Sequence, residues 1–168
     1  MKKVISLFLS LTMLLSIVSV VDLSAYASVE TGKLGDNVTY SLDTSTGLLT
    51  ISGTGDIYDY ELHNYSGYYS STPLKMAYIK NIIIESGVTS IGDCVFFNCT
   101  NLTSITIPDT IIRIGYYAFI GFNNSEITIP NSVISIAYSA FSKSVENYQY
   151  SYLKKINYKG TVTQLSLI

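Results

Sequence analysis

Three stretches of the chain repeat one pattern: IIIESGVTSIG at residues 82–92, ITIPDTIIRIG at 105–115 and ITIPNSVISIA at 127–137. The copies start 23 and then 22 residues apart, and each is followed by a short segment that contains phenylalanine. A fixed period of this length is typical of repeat proteins whose units stack on one another. The repeat therefore predicts the fold before any local secondary structure is assigned.

A single copy of this pattern cannot fold alone. Burying its apolar side chains contributes less free energy than the ordering of its backbone costs. Stacked copies share their apolar faces and pair their strands, which closes the difference. The alternating isoleucines predict short strands. Because successive copies run in the same direction, we expect their strands to pair in parallel.

The fuller pattern, strand-Pro-x-x-Val-x-x-Ile-Gly-x-x-Ala-Phe-x-x-Cys, resembles the BspA-like leucine-rich repeat of bacterial surface proteins. The resemblance covers residues 79–168. It implies a β-rich solenoid, a short right-handed array of about three to four repeats with parallel strands and a C-terminal cap. Cys99 matches the cysteine of the motif, whereas Phe122 and Ser144 replace it later. Asn124 replaces an apolar residue, so the third strand is expected to start weakly.

The segment before the repeats has a different period. Apolar residues alternate with polar ones at residues 38–42 and again at 49–51, and a Gly-containing loop at 43–47 lies between them. This pattern predicts a β-hairpin that caps the open edge of the first repeat. It also resembles the leader of the same family, in which Pro-Trp commonly stands where this chain has Pro73-Leu74. The loop lacks the later ligands of a calcium site, so no metal is expected.

Residues 1–27 have the features of a secretory signal peptide. Two lysines follow the initiating methionine, residues 4–21 form an apolar run, and a small-x-small cleavage site ends at Ala27. A membrane anchor is the alternative, since the run has about the 18 residues that a span needs. Five serines and threonines interrupt it, so we expect cleavage before Ser28. The mature protein would then have no membrane span and be secreted or held at the cell surface.

Several classes of function are disfavoured by the composition. A net charge of −2 without a basic stripe argues against a nucleic-acid partner. His63 is the single histidine and has no nucleophile at a recognisable spacing, so we expect no enzymatic activity. With two cysteines and one histidine, neither a metal nor another cofactor is expected. Cys99 should point into the solenoid and Cys94 outward, which predicts two unpaired thiols.

Tyrosine is the strongest indication of a binding surface, because it offers large contact area with a polar tip. Fifteen tyrosines occur, many of them in the expected loop at residues 59–75 and in an insertion at 143–152. The alternative is that they pack over the ends of the array, and that the strand-face threonines are merely solvated. The candidate partner-binding residues are Tyr65, Tyr68, Tyr69, Tyr116, Tyr117, Tyr138, Tyr148, Tyr150, Tyr152, Thr106 and Thr128.

We therefore expect three regions: a signal peptide at residues 1–27, a hairpin cap with a Tyr-rich loop at 28–78, and the repeat solenoid at 79–168. The family resemblance implies adhesion to host or neighbour-cell proteins, such as components of the extracellular matrix. A carbohydrate-binding module is an alternative, because aromatic faces also stack on sugar rings. A degenerate short repeat protein without an independent partner is a further alternative.

Overall fold

The computed structural model describes residues 28–64, 67–124, 126–142, 155–159 and 166–167. The expected signal peptide lies outside these residues, as do Tyr65, Tyr148, Tyr150 and Tyr152. The division of the chain into three regions stays a prediction.

Three antiparallel strands open the described chain: β1 (Val29–Lys33), β2 (Asn37–Asp43) and β3 (Leu48–Asp56). Alternate residues of β2 are buried, as its period of two predicts. The loop to β3 closes through a 2.8 Å hydrogen bond from the Gly47 N–H to the Asp43 carbonyl. Asp43 also accepts the Ser45 hydroxyl at 2.6 Å. Its carboxylate thereby stabilises the turn, which gives it a structural role.

A second hairpin follows, formed by β4 (Leu62–Asn64) and β5 (Tyr68–Ser70). The prediction of an irregular loop at residues 59–75 was therefore wrong in part. These strands have three residues each and lie among serines and glycine, so no periodic pattern could form in them. A short 3-10 helix (Met76–Tyr78) leads into the repeats.

Each of the three copies of the repeat contributes two short strands, and a fourth pair of strands follows them. They are β6 (Asn81–Ile84) and β7 (Val88–Ile91), β8 (Ser104–Thr106) and β9 (Arg113–Ile114), β10 (Glu126–Ile129) and β11 (Ser135–Ile136), and β12 (Lys155–Tyr158) and β13 (Ser166–Leu167). Every pairing between these strands is parallel. The prediction of parallel strand pairing between copies is confirmed.

The strands form two rows that both start from β3. Residues 48–51 of β3 pair with β6, which pairs with β8, while the end of β3 pairs with β7 and continues through β9 and β11 to β13. The first row is interrupted after β8, because β10 and β12 form a separate two-stranded sheet. Asn124 stands just before this interruption and is half-buried, whereas its counterparts Ile79 and Leu102 are buried. The weak start expected for the third strand agrees with this.

The segments after the second strands also stack. The Cys94 N–H donates to the Tyr116 carbonyl at 2.9 Å, and the Phe119 N–H donates to the Ala140 carbonyl at 2.8 Å. The core between these segments and the two rows contains stacked phenylalanine rings. Phe96 and Phe119 have ring centroids 5.3 Å apart, and Phe119 and Phe141 are 5.2 Å apart. The repeated phenylalanine position therefore forms an aromatic stack across the three copies.

Candidate interaction surfaces

A left-handed backbone position recurs in the turn that follows β7, β9 and β11. Cys94, Tyr117 and Ser139 occupy it with φ values of 54°, 55° and 57°. This conformation is uncommon outside glycine. It points the side chain in a different direction from that in a regular turn. Tyr117 points into a small apolar group, the turn cluster, made of Cys94, Phe97, Tyr117 and Ile120.

Burial of both cysteines follows from this arrangement. Cys99 lies in the main core, as expected, but Cys94 is buried in the turn cluster instead of facing solvent. The expectation for Cys94 was wrong because a regular turn was assumed there. Both thiols are unpaired. Burial raises the pKa of Cys94 to about 11, with help from Asp93, and raises the pKa of Cys99 to about 12. Both are therefore protonated at neutral pH, which disfavours redox or metal chemistry.

Three of the candidate tyrosines form a tyrosine row, defined by Tyr117, Tyr116 and Tyr138. The ring centroids of Tyr116 and Tyr117 are 3.9 Å apart, and their hydroxyls are hydrogen-bonded at 3.1 Å. Tyr138 stacks on Tyr116 at 6.1 Å and is 57% exposed. Because Tyr117 is buried, it supports the other two rings and offers little surface itself.

Two carboxylates and one guanidinium fix the backbone next to the tyrosine row. Asp93 Oδ1 accepts the Tyr116 N–H at 2.8 Å and Arg113 Nη2 at 2.6 Å. Asp59 Oδ1 accepts the Asp93 N–H at 2.8 Å and Arg113 Nη1 at 3.1 Å. Partial burial pushes the pKa of Asp59 upward, but the Asp93 N–H and the Arg113 charge outweigh it and leave the pKa lowered. The row is thus attached to a network that spans two repeats and the segment before them.

Tyr68 and Tyr69 lie at a second place, the aromatic groove. It separates β5 from the segment at residues 97–101 and has a volume of about 370 Å³. The two tyrosines are 40% and 49% exposed. The residues that line it include Tyr68, Tyr69, Leu74, Ala77, Phe97, Asn98 and Asn101.

Asn98 and Asn101 are functional candidates that the sequence analysis missed. They stand at variable positions of one copy, so the repeat gives no signal for them. Only the Tyr-rich composition of residues 59–75 pointed to this part of the chain.

The candidate threonines of the strand face are exposed, but they do not form one continuous row. Thr106 lies on β8, opposite Ile83, and Thr128 lies on β10, opposite Asn157. Because β8 and β10 belong to different sheets, a cleft of about 190 Å³ lies at the interruption, with Thr128 and Asn157 in its lining. The strand face that carries these threonines is therefore divided in two.

Comparison with protein families identifies the class of this chain. A model described as "BspA type Leucine rich repeat region (6 copies)" matches residues 71–166, more than half of the sequence. The chain belongs to the BspA-type leucine-rich repeat family, and the resemblance found in the sequence is confirmed. No curated protein is significantly similar to the chain in sequence.

Two solved structures are similar to the chain. One is a leucine-rich repeat protein from Eubacterium ventriosum, with 24% identity, a TM-score of 0.50, and coverage of 79% of this chain and 44% of that one. The other is a leucine-rich cell surface protein from Faecalibacterium prausnitzii, with 17% identity, a TM-score of 0.28, and coverage of 81% and 56%. The chain thus spans about half the length of either structure. The first likeness supports a leucine-rich-repeat fold.

No helix in the described part of the chain is long and apolar enough to cross a membrane.

Proposed function

We propose that the protein is a secreted or cell-surface interaction module that adheres to extracellular proteins of a host or neighbouring cell, with matrix components as candidates, and that it is not an enzyme. Its repeats would form a short right-handed solenoid of three to four units, and the β2–β3 hairpin would cap the first. Membership of a family rich in bacterial surface proteins supports this, and so does the expected signal peptide. Pairing of β3 with both β6 and β7 supports the capping role.

The exposed tyrosine row is the observation that carries the proposal. Tyr138 presents more than half of its surface to solvent and stacks on Tyr116, which in turn contacts the buried Tyr117. A rigid aromatic side chain loses little conformational entropy on binding. The hydrogen bond from the Tyr116 N–H to Asp93 Oδ1 further holds the row in place before any partner binds. Such preorganisation favours recognition of a protein surface.

Biolayer interferometry tests this proposal. Protein produced by expressing the whole chain is measured against immobilised fibronectin, fibrinogen and collagen. We expect saturable binding to at least one of them, weakened about tenfold by Tyr138→Ser, or by about 1.4 kcal/mol. Tyr78→Ser is the matched control, because Tyr78 is 50% exposed but lies outside the row. A Tyr148/Tyr150/Tyr152→Ser variant tests the insertion separately.

Absence of binding to all three proteins would contradict the choice of matrix partners. Equal weakening by Tyr138→Ser and Tyr78→Ser would contradict the assignment of binding to the tyrosine row. Weakening by the insertion variant alone would transfer the site to residues 143–152.

A further inference from the structure

We infer that the aromatic groove is a binding site for a neutral saccharide, separate from the tyrosine row. Its two exposed tyrosines come from the β4–β5 hairpin, and its amide side chains come from the first repeat. The groove therefore brings together aromatic faces and polar groups from segments about 30 residues apart. The kind of ligand follows from those aromatic and polar side chains and from the absence of charged ones among the described lining residues.

The aromatic component suits the face of a sugar ring. The centre of an aromatic face carries negative charge density, and the C–H bonds on one face of a pyranose present weak positive charge. Tyr68 and Tyr69 are both accessible for such a contact. Tyr69 is also held by His63, whose ring centroid lies 5.3 Å away. The hairpin itself is fixed by a 2.9 Å hydrogen bond from the Ser71 N–H to the Glu61 carbonyl.

The polar component suits sugar hydroxyls, which both donate and accept hydrogen bonds. A carboxamide also offers both functions in one planar group. Asn101 Nδ2 donates to the Ala77 carbonyl at 2.9 Å, which fixes the side chain at the groove wall. Asn98 has a left-handed backbone with φ of 60°, and its N–H donates to the Ile120 carbonyl at 2.8 Å. The Asn101 amide is thus fixed by a hydrogen bond to the 3-10 helix, and the backbone of Asn98 by a bond to the second copy.

Charge is what the groove lacks. None of the described residues in its lining is Asp, Glu, Lys, Arg or His. A phosphate, a sulfated or sialylated glycan, or a charged peptide would therefore meet no complementary charge among these lining residues; His63, which packs against Tyr69, is not one of them. The tyrosine row differs, because Asp59, Asp93 and Arg113 lie next to it. The two surfaces consequently favour different partners.

The size of the groove sets the length of the ligand. Its volume of about 370 Å³ is near the lower end of the roughly 300–1,000 Å³ of small-molecule sites. Leu74, which is buried, forms part of its wall. We therefore assign the groove to one or two sugar units of a neutral glycan, such as a terminal hexose or N-acetylhexosamine.

A glycan array followed by saturation-transfer NMR tests the inference. The probes are neutral hexose and N-acetylhexosamine oligosaccharides, with sialylated and sulfated ones beside them and uncharged peptides as the macromolecular alternative. Two variants address the groove: Tyr68→Ser/Tyr69→Ser removes the aromatic faces, and Ala77→Trp fills the space from an exposed position. Tyr78→Ser is the matched control, since Tyr78 is 50% exposed and belongs neither to the groove lining nor to the tyrosine row.

We expect binding of neutral oligosaccharides that both groove variants weaken at least about tenfold and that Tyr78→Ser leaves unchanged. Melting curves of all variants should coincide with that of the parent protein, which excludes unfolding as the cause. Binding of acidic glycans alone, binding of peptides alone, or no binding of any neutral glycan would overturn the inference. So would neutral-glycan binding that Ala77→Trp leaves intact.

Discussion

Arg113 donates a hydrogen bond to Asp59 across 54 residues of sequence, with 3.1 Å between Nη1 and Oδ1. The same guanidinium contacts Asp93 at 2.6 Å through its other nitrogen. One side chain therefore connects the second repeat to the first and to the segment that follows β3. Its removal would affect the stacking of units more than the interior of any one of them.

The Arg113→Met substitution tests this connection. It keeps the aliphatic part of the side chain and removes the charge. Because the guanidinium is partly exposed, we expect a loss of about 1–2 kcal/mol in the free energy of unfolding, measured by urea denaturation. Lys75→Met is the matched control, since Lys75 pairs with Glu30 at the surface and its loss should have the smaller effect. Equal effects of the two variants would contradict a special role for Arg113.

Acid should weaken the fold through Asp59. The pKa of Asp59 lies below the usual value for an aspartate in the folded protein, so the unfolded state binds a proton more readily. The associated stability is fully present above about pH 4 and is lost as pH falls through the folded pKa. We expect the melting temperature to fall between pH 5 and about pH 2, and the fall should be smaller in Asp59→Asn. An unchanged acid dependence in that variant would exclude Asp59 as a source.

Gly115 is required by space and not by backbone conformation. A methyl group at this position would lie 2.6 Å from the Asp93 backbone nitrogen, so Asp93 would have to move. We expect Gly115→Ala to destabilise the protein by about 1–3 kcal/mol in thermal unfolding, because it disturbs this partly buried hydrogen-bond network. Ala137 occupies the corresponding place in the third copy, and Ala137→Gly should cost about 0.5–1 kcal/mol. A larger loss for Ala137→Gly would contradict the steric argument.

Phe119 should be a determinant of cooperative unfolding. Its ring lies between those of Phe96 and Phe141 and is 1% exposed. We expect Phe119→Ala to cost about 3–5 kcal/mol by calorimetry. Ile134→Thr, at a 53% exposed position of the same array, should change stability by at most about 0.5 kcal/mol. A broad, non-cooperative transition in the parent protein would favour the degenerate-repeat alternative.

The repeat pattern was sufficient to predict the parallel strands and the buried phenylalanines. Their positions recur with a fixed period, and each is determined by burial against an identical neighbour. The β4–β5 hairpin was not predictable in the same way, because strands of three residues carry no detectable period.

The candidate sites were less predictable than the fold. The contact between Arg113 and Asp59 depends on how the second repeat is placed relative to the segment after β3. No local sequence pattern indicates that placement. Tyr117 was expected at the surface, but its left-handed backbone directs it into the turn cluster. Asn98 and Asn101 are candidates only because the β4–β5 hairpin lies opposite them in the fold, across the aromatic groove.

The position of β3 has a consequence for how alignment errors would spread. Residues 48–51 set the alignment of one row of strands, and Gly55 and Asp56 set that of the other. A one-residue slip reverses which side chains face the core. A one-residue slip of β3 against β2 would therefore change the alignment of both rows at once. This strand thus acts as a common template for every repeat after it.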